Sequence, residues 1–458
     1  WPHLQWGSIA PETADIMALP FTSDEYIFAI NKLPNLKTPG VDGLTAEFYK
    51  RHKHVFAPVL AYMGNVMREA LIEHPEISPF SSQGLMGLIK MLPKGDSDLD
   101  QLKNWRPITL LNVDHKILAS VINNRIKAAC GRIIHINQSG FPGRKIQHNI
   151  LMLNQISTYF SRMTPCNINN FHSNTGPYVL SLDFAKAFDS VEHDFILYVL
   201  RKIGLPEWLA YFIFHMQHTA ESAVISGSLV SPSFRVQRSV RQGCPLYPTL
   251  FCLVLDPLLQ YIQQHPDVGG VRVLDGGVKL LAHADDVSLF LNDEVSLPPL
   301  FMVLEQFAQL SGLTLNWAKC KLIPFKLNFY IPNFNDIPHL NQIQILRRNE
   351  YTKILGIKFG CSVTPDHIYR DLVPPAIAQA AQLTTTSVSL YCKAKIYNTL
   401  ILAKFYYAAL IHDIPPNLNS QLYTAILKNF WDKAIPECPR GYLFNPPSQG
   451  GVDLVSLQ

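Results

Sequence analysis

No two cysteines in this 458-residue chain form a C-x-x-C pair, and none of the eight, at positions 130, 166, 244, 252, 320, 361, 392 and 438, pairs with a histidine at zinc-ligand spacing. A structural zinc module is thereby excluded, and free thiols in a reducing, intracellular compartment are expected. Charge is also scarce. Only 16% of residues are charged, and the net +4 is too small by itself to argue for a nucleic-acid partner. Long apolar runs are missing too: stretches such as "LFCLVLDPLLQYI" are too short to span a bilayer, so no membrane partner is expected. No internal repeat or low-complexity tract is seen, and no secretory leader is expected. The chain opens on Trp1 rather than Met, which suggests a piece of a longer reading frame.

What the sequence does have is apolar residues, 48% of the total. That is enough for a packed α+β protein of two or three lobes at about 150 residues each. Between Gln101 and Ile150 the charge is lopsided. Eight basic residues (Lys103, Arg106, Lys116, Arg125, Lys127, Arg132, Arg144 and Lys145) face one acid, Asp114, as a polyanion-binding face would.

Periodicity places the elements. "FTSDEYIFAINK" reads as a helix capped by Thr22 or Ser23, with a turn-rich "KTPGVDG" after it. "LMGLIKMLPK" is a strand, and "DHKILASVINNRIKAACGRII" is a helix. "NINNFHSNTGP" (167–177) is a loop, and "YVLSLDF" is a strand that delivers Asp183 at its far end. "SVEHDFILYVLRKIG" fits a helix capped by Ser190 and ended by Gly204. "SAVISG" and "SFRVQRSVRQG" read as hairpin strands, and "LFCLVLDPLLQYIQQ" as a buried helix. In "GVRVLDGGVKLLAHADDVSLFL" tight turns join short strands, the last turn holding Asp285 and Asp286. From about Pro365 the pattern is mostly helical.

Asp183 and the Asp285–Asp286 pair both follow or join apolar strands, so one sheet could bring them together. An isolated "ADD" at a turn would be ordinary, since aspartate favours turns. Three carboxylates in a dry site, however, cannot all ionise without cations. Mg²⁺ takes oxygen ligands from one or two carboxylates and keeps positions for phosphates. Two such ions about 3.5–4 Å apart suit in-line displacement at phosphorus.

Eight ordered segments carry a resemblance: "KTPGVDGLTAEFYK", "MLPKGDSDLDQLKNWRPITLLN", "QSGFPGR", "LSLDFAKAFDSVEHDF", "VRQGCPLYPTLF", "HADDVSLFL", "SGLTLNWAKCKL" and "ILGIKFG". In this order, from about Phe21 to Gln458, the chain resembles the reverse transcriptase domain of non-LTR retrotransposons, the long interspersed elements. The resemblance implies a right-hand polymerase, with an antiparallel palm sheet and a helical C-terminal lobe. It divides the chain into an N-terminal extension (1–20), fingers with part of the palm (21–177), palm with fingers insertions (178–360), and a helical thumb with a truncated C-terminal segment (361–458). The implied activity is RNA-directed DNA synthesis, extending a DNA primer 3′-OH with dNTPs on an RNA template.

The same resemblance assigns roles. Asp183, Asp285 and Asp286 would be catalytic and, with the backbone carbonyl of Phe184, would ligate two Mg²⁺, Mn²⁺ serving as a substitute. Lys94 and Arg106 would grip the triphosphate, and the fork of a guanidinium suits that task. Gln242 and Gly243 would line the nucleotide pocket, and Lys319 would lie near the leaving pyrophosphate. Phe188 would crowd a ribose 2′-OH and so favour deoxynucleotides. Leu355 and Gly356 would hold the primer, and Asp189 would orient rather than bind metal. The basic 101–150 block then reads as fingers facing template and triphosphate. Nicking activity would come from a missing domain or another protein, and the expected setting is nuclear or cytoplasmic.

Four positions depart from the family pattern. His283 stands where an aromatic is usual, and no metal role is expected of it. "GFPGR" (140–144) is one residue short, Tyr247 replaces a serine, and Ser239 replaces a glycine. These departures leave a second expectation open: a catalytically impaired descendant that only binds nucleic acid.

Overall fold

A computed structural model describes residues 6–95, 98–162, 177–273, 276–325, 339–347, 349–360, 362–383, 388–431 and 439–457. The loop expected at 167–177 lies outside these residues except for Pro177. In chain order come α1 (Pro11–Ala18), α2 (Ser23–Lys32), α3 (Ala46–Arg51), α4 (Lys53–Glu73), β1 (Gly87–Pro93), β2 (Trp105–Leu111), α5 (Val113–Cys130) and α6 (Ile146–Arg162). Next are β3 (Tyr178–Leu182), α7 (Ala187–Ser190), α8 (His193–Lys202), α9 (Glu207–His218), β4 (Glu221–Ser226), β5 (Leu229–Val230), β6 (Phe234–Arg235) and α10 (Tyr247–Gln264). Then follow β7 (Val271–Val273), β8 (Gly276–Val278), β9 (Leu280–His283), β10 (Asp286–Leu291), α11 (Leu297–Ser311), β11 (Lys321–Pro324), β12 (Gln344–Ile345), β13 (Thr352–Ile354) and β14 (Ile357–Phe359). After Pro365 the described elements are all helical, among them α12 (Ala403–Ala409) and α13 (Pro416–Trp431).

Two five-stranded sheets organise the chain. One runs β12-β11-β3-β10-β9, antiparallel throughout except that β12 lies parallel to β11, which modifies the wholly antiparallel sheet expected. The other runs β2-β1-β4-β5, with β6 also on β4, and its β1–β4 pairing is parallel. Strand alternation explains how the first sheet is buried. Leu180 and Leu182 of β3, Val287 and Leu289 of β10 and Ala282 of β9 face one apolar core, shared with α5, α8, α10 and α11. Val179, Leu281 and Phe290 face a second core, built with α6, the β13–β14 hairpin and the C-terminal helices. A sheet covered on both faces reads as near-continuous apolar sequence, as "YVLSL" and "VSLFL" do.

Most local expectations are met. Thr22 caps α2 through a capping box with Glu25. "LMGLIKMLPK" yields β1, and Gly312 (φ 77°) ends α11. Ser190 is not the cap of α8. It closes the one-turn helix α7, donating its hydroxyl to the carbonyls of Ala185 and Lys186, and α8 begins three residues later after Glu192. "SFRVQRSVRQG" keeps only the two residues of β6 as strand. Cysteines 130, 244, 252, 320 and 392 are free thiols.

The basic block is not one anion-binding face. Arg125 forks onto Glu25 (2.6 and 2.7 Å), donates to the carbonyls of Met17, Leu19 and Pro20, and lies 4.4 Å from the Phe21 ring. Arg144 donates to five main-chain carbonyls between Gly131 and Gln138. Both guanidiniums are spent on holding the chain together, a use that composition cannot separate from phosphate binding.

Helix α4 is, among the described residues, the one helix long and apolar enough by length and composition to cross a membrane. Its Ala57, Ala61, Gly64 and Leu71 are buried, while Val55, Val59, Tyr62 and Val66 form an outward stripe.

Candidate active site

β3 and β10 are hydrogen-bonded neighbours, with Leu182 opposite Val287. Asp183, the residue after β3, is thereby set beside Asp285 and Asp286. The turn from β9 to β10 has Ala284 and Asp285 at its tip, and Asp286 opens β10 opposite His283. Asp285 is therefore the tip residue proper and Asp286 a strand residue, one step tighter than the tip pair expected. Ala284 takes a positive φ of 52°, unusual for a residue with a Cβ.

The three carboxylates feel one another. Burial holds the Asp285 carboxyl above the ordinary range, and the charges of Asp286 and Asp183 push it the same way. The Asp286 carboxyl is also raised, first by loss of solvent; His283 opposes this and Asp183 adds to it. The oxygen-only donor set suits a hard divalent cation rather than a soft one. Among the described residues no three His, Cys, Asp or Glu side chains form a ready-made ion cage. Mutually repelling carboxylates would need the cation itself to draw them together.

The main chain around Asp183 is pinned. Its N–H meets Cys320 Sγ at 3.4 Å, and its carbonyl accepts from Asn316 N at 2.8 Å. Phe184 bridges to Leu315 while Ala185 N donates to Thr314 O at 2.8 Å. In such a pair the Phe184 carbonyl points away from Leu315. Lys319 is exposed, one residue before Cys320.

Phe188 is half-buried and packs on two rings: it stacks on Tyr247 (centroids 4.5 Å) and tilts against Phe251 (4.2 Å). The Tyr247 hydroxyl is made less acidic by burial, then by the charges of Asp285 and Asp189. The departure from serine at 247 thus puts a second ring against Phe188, near enough to Asp285 to feel its charge. Asp189 is raised by burial, with Lys186 opposing. Ser239 has φ 141°, a conformation that glycine adopts far more readily, which accounts for the glycine usual there.

Lys94 and Arg106 belong to the β1–β2 hairpin of the other sheet, both exposed, with Lys94 N donating to Asn104 O at 2.8 Å. Pairing of Leu92 with Arg106 puts Lys90, Lys94 and Arg106 on one face of that hairpin. Gln242 and Gly243 lie against β2: Thr109 N donates to Gln242 O (3.3 Å), and a Cβ on Gly243 (φ 105°) would sit 2.4 Å from Thr109 O. Only glycine fits there. Leu355 and Gly356, both at positive φ (51° and 81°), form the two-residue turn of the β13–β14 hairpin.

Two features escaped the sequence reading. Tyr407 on α12 donates its hydroxyl to Leu355 O at 2.5 Å, and its acidity is lowered by burial and by the charge of Asp286. It ties the hairpin turn to α12, near enough to Asp286 to feel its charge, yet "KFYYAAL" holds no local signal of that. The "QSGFPGR" segment lies directly against the Ala284 turn, and Ser139 Oγ meets His283 Nδ1 at 3.1 Å. Nothing in the motif's own residues signals this contact.

Residues 92–359 match the family model described as reverse transcriptase (RNA-dependent DNA polymerase). A transposon TX1 uncharacterized 149 kDa protein of Xenopus laevis is 33% identical over 69% of this chain and 23% of its own length. A retrovirus-related Pol polyprotein from the type-1 retrotransposable element R2 of Popillia japonica is 29% identical over 61% of this chain and 36% of its own. A probable RNA-directed DNA polymerase from transposon BS of Drosophila melanogaster is 26% identical over 59% and 28%. The chain thus spans well under half the length of these curated relatives. With more than half of its residues inside the family match, and with transposon proteins among its relatives, the chain belongs to the reverse transcriptase (RNA-dependent DNA polymerase) family and groups with the reverse transcriptase domains of non-LTR retrotransposons.

Proposed function

We propose that this chain is an RNA-directed DNA polymerase that extends a primer 3′-OH with dNTPs on an RNA template, as retrotransposition requires. The convergence of Asp183, Asp285 and Asp286 at the ends of paired strands β3 and β10 carries this reading. The palm would be the sheet β12-β11-β3-β10-β9, the β1–β2 hairpin would belong to the fingers, and the helices after Pro365 would form the thumb. The boundaries follow: an extension over 1–20, fingers with part of the palm over 21–177, palm over 178–360 and thumb over 361–458.

Asp183, Asp285, Asp286 and the outward carbonyl of Phe184 would hold two Mg²⁺. When bound, these ions supply charge neutralisation and a lowered pKa for the attacking hydroxyl. The chain's own groups orient the reactants. Lys94 and Arg106, sharing one face of the β1–β2 hairpin, would grip the triphosphate. Gln242 and Gly243 would seat the sugar against β2, with Phe188, backed by Tyr247 and Phe251, excluding a 2′-OH. Lys319 would donate a proton toward the leaving pyrophosphate, and the Leu355–Gly356 turn would hold the primer. Affinity for primer–template would be salt-sensitive and governed by backbone and duplex shape. Nicking of target DNA would be supplied by another domain or protein, in the nucleus or cytoplasm.

Primer extension on an RNA template in Mg²⁺ or Mn²⁺ tests this, with Asp285→Ala alongside. Incorporation by the wild type and its loss in the variant are expected. Equal incorporation by both removes Asp285 from the site. Binding of primer–template without incorporation by either selects the second reading, a catalytically impaired descendant, which the strained Ser239 backbone favours.

A further inference from the structure

The β9–β10 turn does not hold itself. Its first residue, Ala284, sits at φ 52°, where a Cβ crowds the following carbonyl, and both of its main-chain polar groups are read by one side chain. Gln138 Oε1 accepts from Ala284 N at 2.8 Å, and Gln138 Nε2 donates to Ala284 O at 3.2 Å. The same Oε1 also accepts from Gly140 N at 2.9 Å. Gln138 is fully buried, 0% exposed. A buried carboxamide with its oxygen and nitrogen both committed has little freedom to turn.

The segment carrying Gln138 is itself braced. It pairs with the outer edge of β9 through a single parallel bridge, Gln138 to Ala282, with Ala282 N donating to Asn137 O (3.0 Å) and Ser139 N donating to Ala282 O (2.8 Å). Asn149 of α6 donates to the same Ala282 carbonyl at 2.8 Å. Behind it, Arg144 gathers carbonyls from Gly131 to Gln138, and the carboxylate of Asp256 on α10 accepts from His135 N at 2.7 Å. Gly140 permits the approach, because a Cβ there would stand 2.2 Å from Ala284 N. The shortened "GFPGR" loop thus still closes tightly on the turn.

We infer that Gln138 is a positioning residue for the polymerase reaction: by holding the N–H and C=O of Ala284, it fixes the aim of the Asp285 and Asp286 carboxylates. The inference rests on the proposed role of those two aspartates. The peptide planes of Ala284 set where the next two side chains leave the turn, so freeing them lets the carboxylates swing apart under mutual repulsion. Outer groups that orient metal-binding side chains typically alter metal affinity or activity by about 10–100-fold when removed.

The test compares wild type, Gln138→Ala, Gln138→Glu and Asp285→Ala, each shown to be folded by circular dichroism and thermal melting. Three quantities are read: Mn²⁺ affinity by electron paramagnetic resonance, the single-nucleotide incorporation rate on RNA-templated primer, and the dNTP KM. For Gln138→Ala we expect Mn²⁺ affinity and the rate to fall by about 10–100-fold, with KM within about threefold of wild type. Gln138→Glu keeps the volume and the acceptor, but as a carboxylate it cannot donate to Ala284 O. Its rate relative to wild type should rise as pH falls from 8.5 to 6, as the buried acid protonates and regains that donor. A role confined to the fold would shift the melting temperature of Gln138→Glu with pH but leave the rate of the folded variant unchanged.

Should Gln138→Ala fail to fold, the pH-dependent recovery of Gln138→Glu decides alone. Wild-type Mn²⁺ affinity and rate in the Gln138 variants, with Asp285→Ala inactive, overturn the positioning role and leave the polymerase reading standing. Wild-type behaviour of Asp285→Ala removes Asp285 from the site, and the positioning role of Gln138 with it.

Discussion

Replacing Ser239 by glycine should stabilise this protein. Ser239 is buried, with φ 141°, and its neighbours fix it there: its N–H donates to Val191 O (3.0 Å), Val240 N donates to Phe188 O (2.8 Å), and the His193 ring meets Ser239 O at 3.2 Å. None of these bonds uses the serine side chain, so glycine keeps all of them. Holding a residue with a Cβ in so sparse a region costs about 1–3 kcal/mol. Glycine gives back about 0.5–1 kcal/mol through the greater freedom of its unfolded chain. The net gain is about 0–2.5 kcal/mol, centred near 1 kcal/mol. Heat is a blunt probe of it, because an unfolding entropy near 2.1 cal/mol/K per residue, summed over the whole chain, leaves about 1 °C per kcal/mol. The urea midpoint, followed by tryptophan fluorescence, is the better measurement. Ser239→Ala is the control: it retains the Cβ and hence the strain, and should stay within about 0.5 kcal/mol of wild type. A lower midpoint for Ser239→Gly, or an equal gain for Ser239→Ala, would refute the strain argument.

Arg125→Ala should cost about 1–3 kcal/mol, because it takes a charged donor from the half-buried Glu25 carboxylate and from the carbonyls of Met17, Leu19 and Pro20; limited proteolysis should then cut first within residues 11–32. Phe188→Ala should admit ribonucleotides, raising the rNTP-to-dNTP incorporation ratio by about tenfold or more, about 1.4 kcal/mol of discrimination; an unchanged ratio removes Phe188 as the gate. Asp285→Asn in EDTA should raise the urea midpoint at pH 7.5. The folded carboxyl titrates above its unfolded value, so the penalty exists where it is ionised, shrinks as pH falls through the folded pKa, and vanishes below about pH 4. Saturating Mg²⁺ should stabilise the wild type more than this variant, and equal stabilisation would argue against ligation by Asp285.

Much of the site was legible because its signals are short-range. Strand alternation in "YVLSLDF" and "HADDVSLFL" placed three aspartates at strand ends, and Thr22 with Glu25 announced a helix start. Ser190 misled, because a serine that can cap one helix can equally close the turn before it, and only the packing at Glu192 and Val191 chose between these.

By itself, then, the sequence determined the family, the α+β pattern and the placement of three aspartates at the ends of apolar strands, since each is encoded in residues adjacent along the chain. The tertiary structure alone decided which charges are free to act. Arg106 remains exposed, while Arg125 and Arg144 are consumed by carbonyls and a carboxylate brought from elsewhere in the chain. It alone also set Gln138 against Ala284 and Tyr407 against Leu355. Hydrogen bonds act over about 3 Å in space whatever the separation in sequence. Pairings that span 146 and 52 residues leave no periodicity for a linear reading to find.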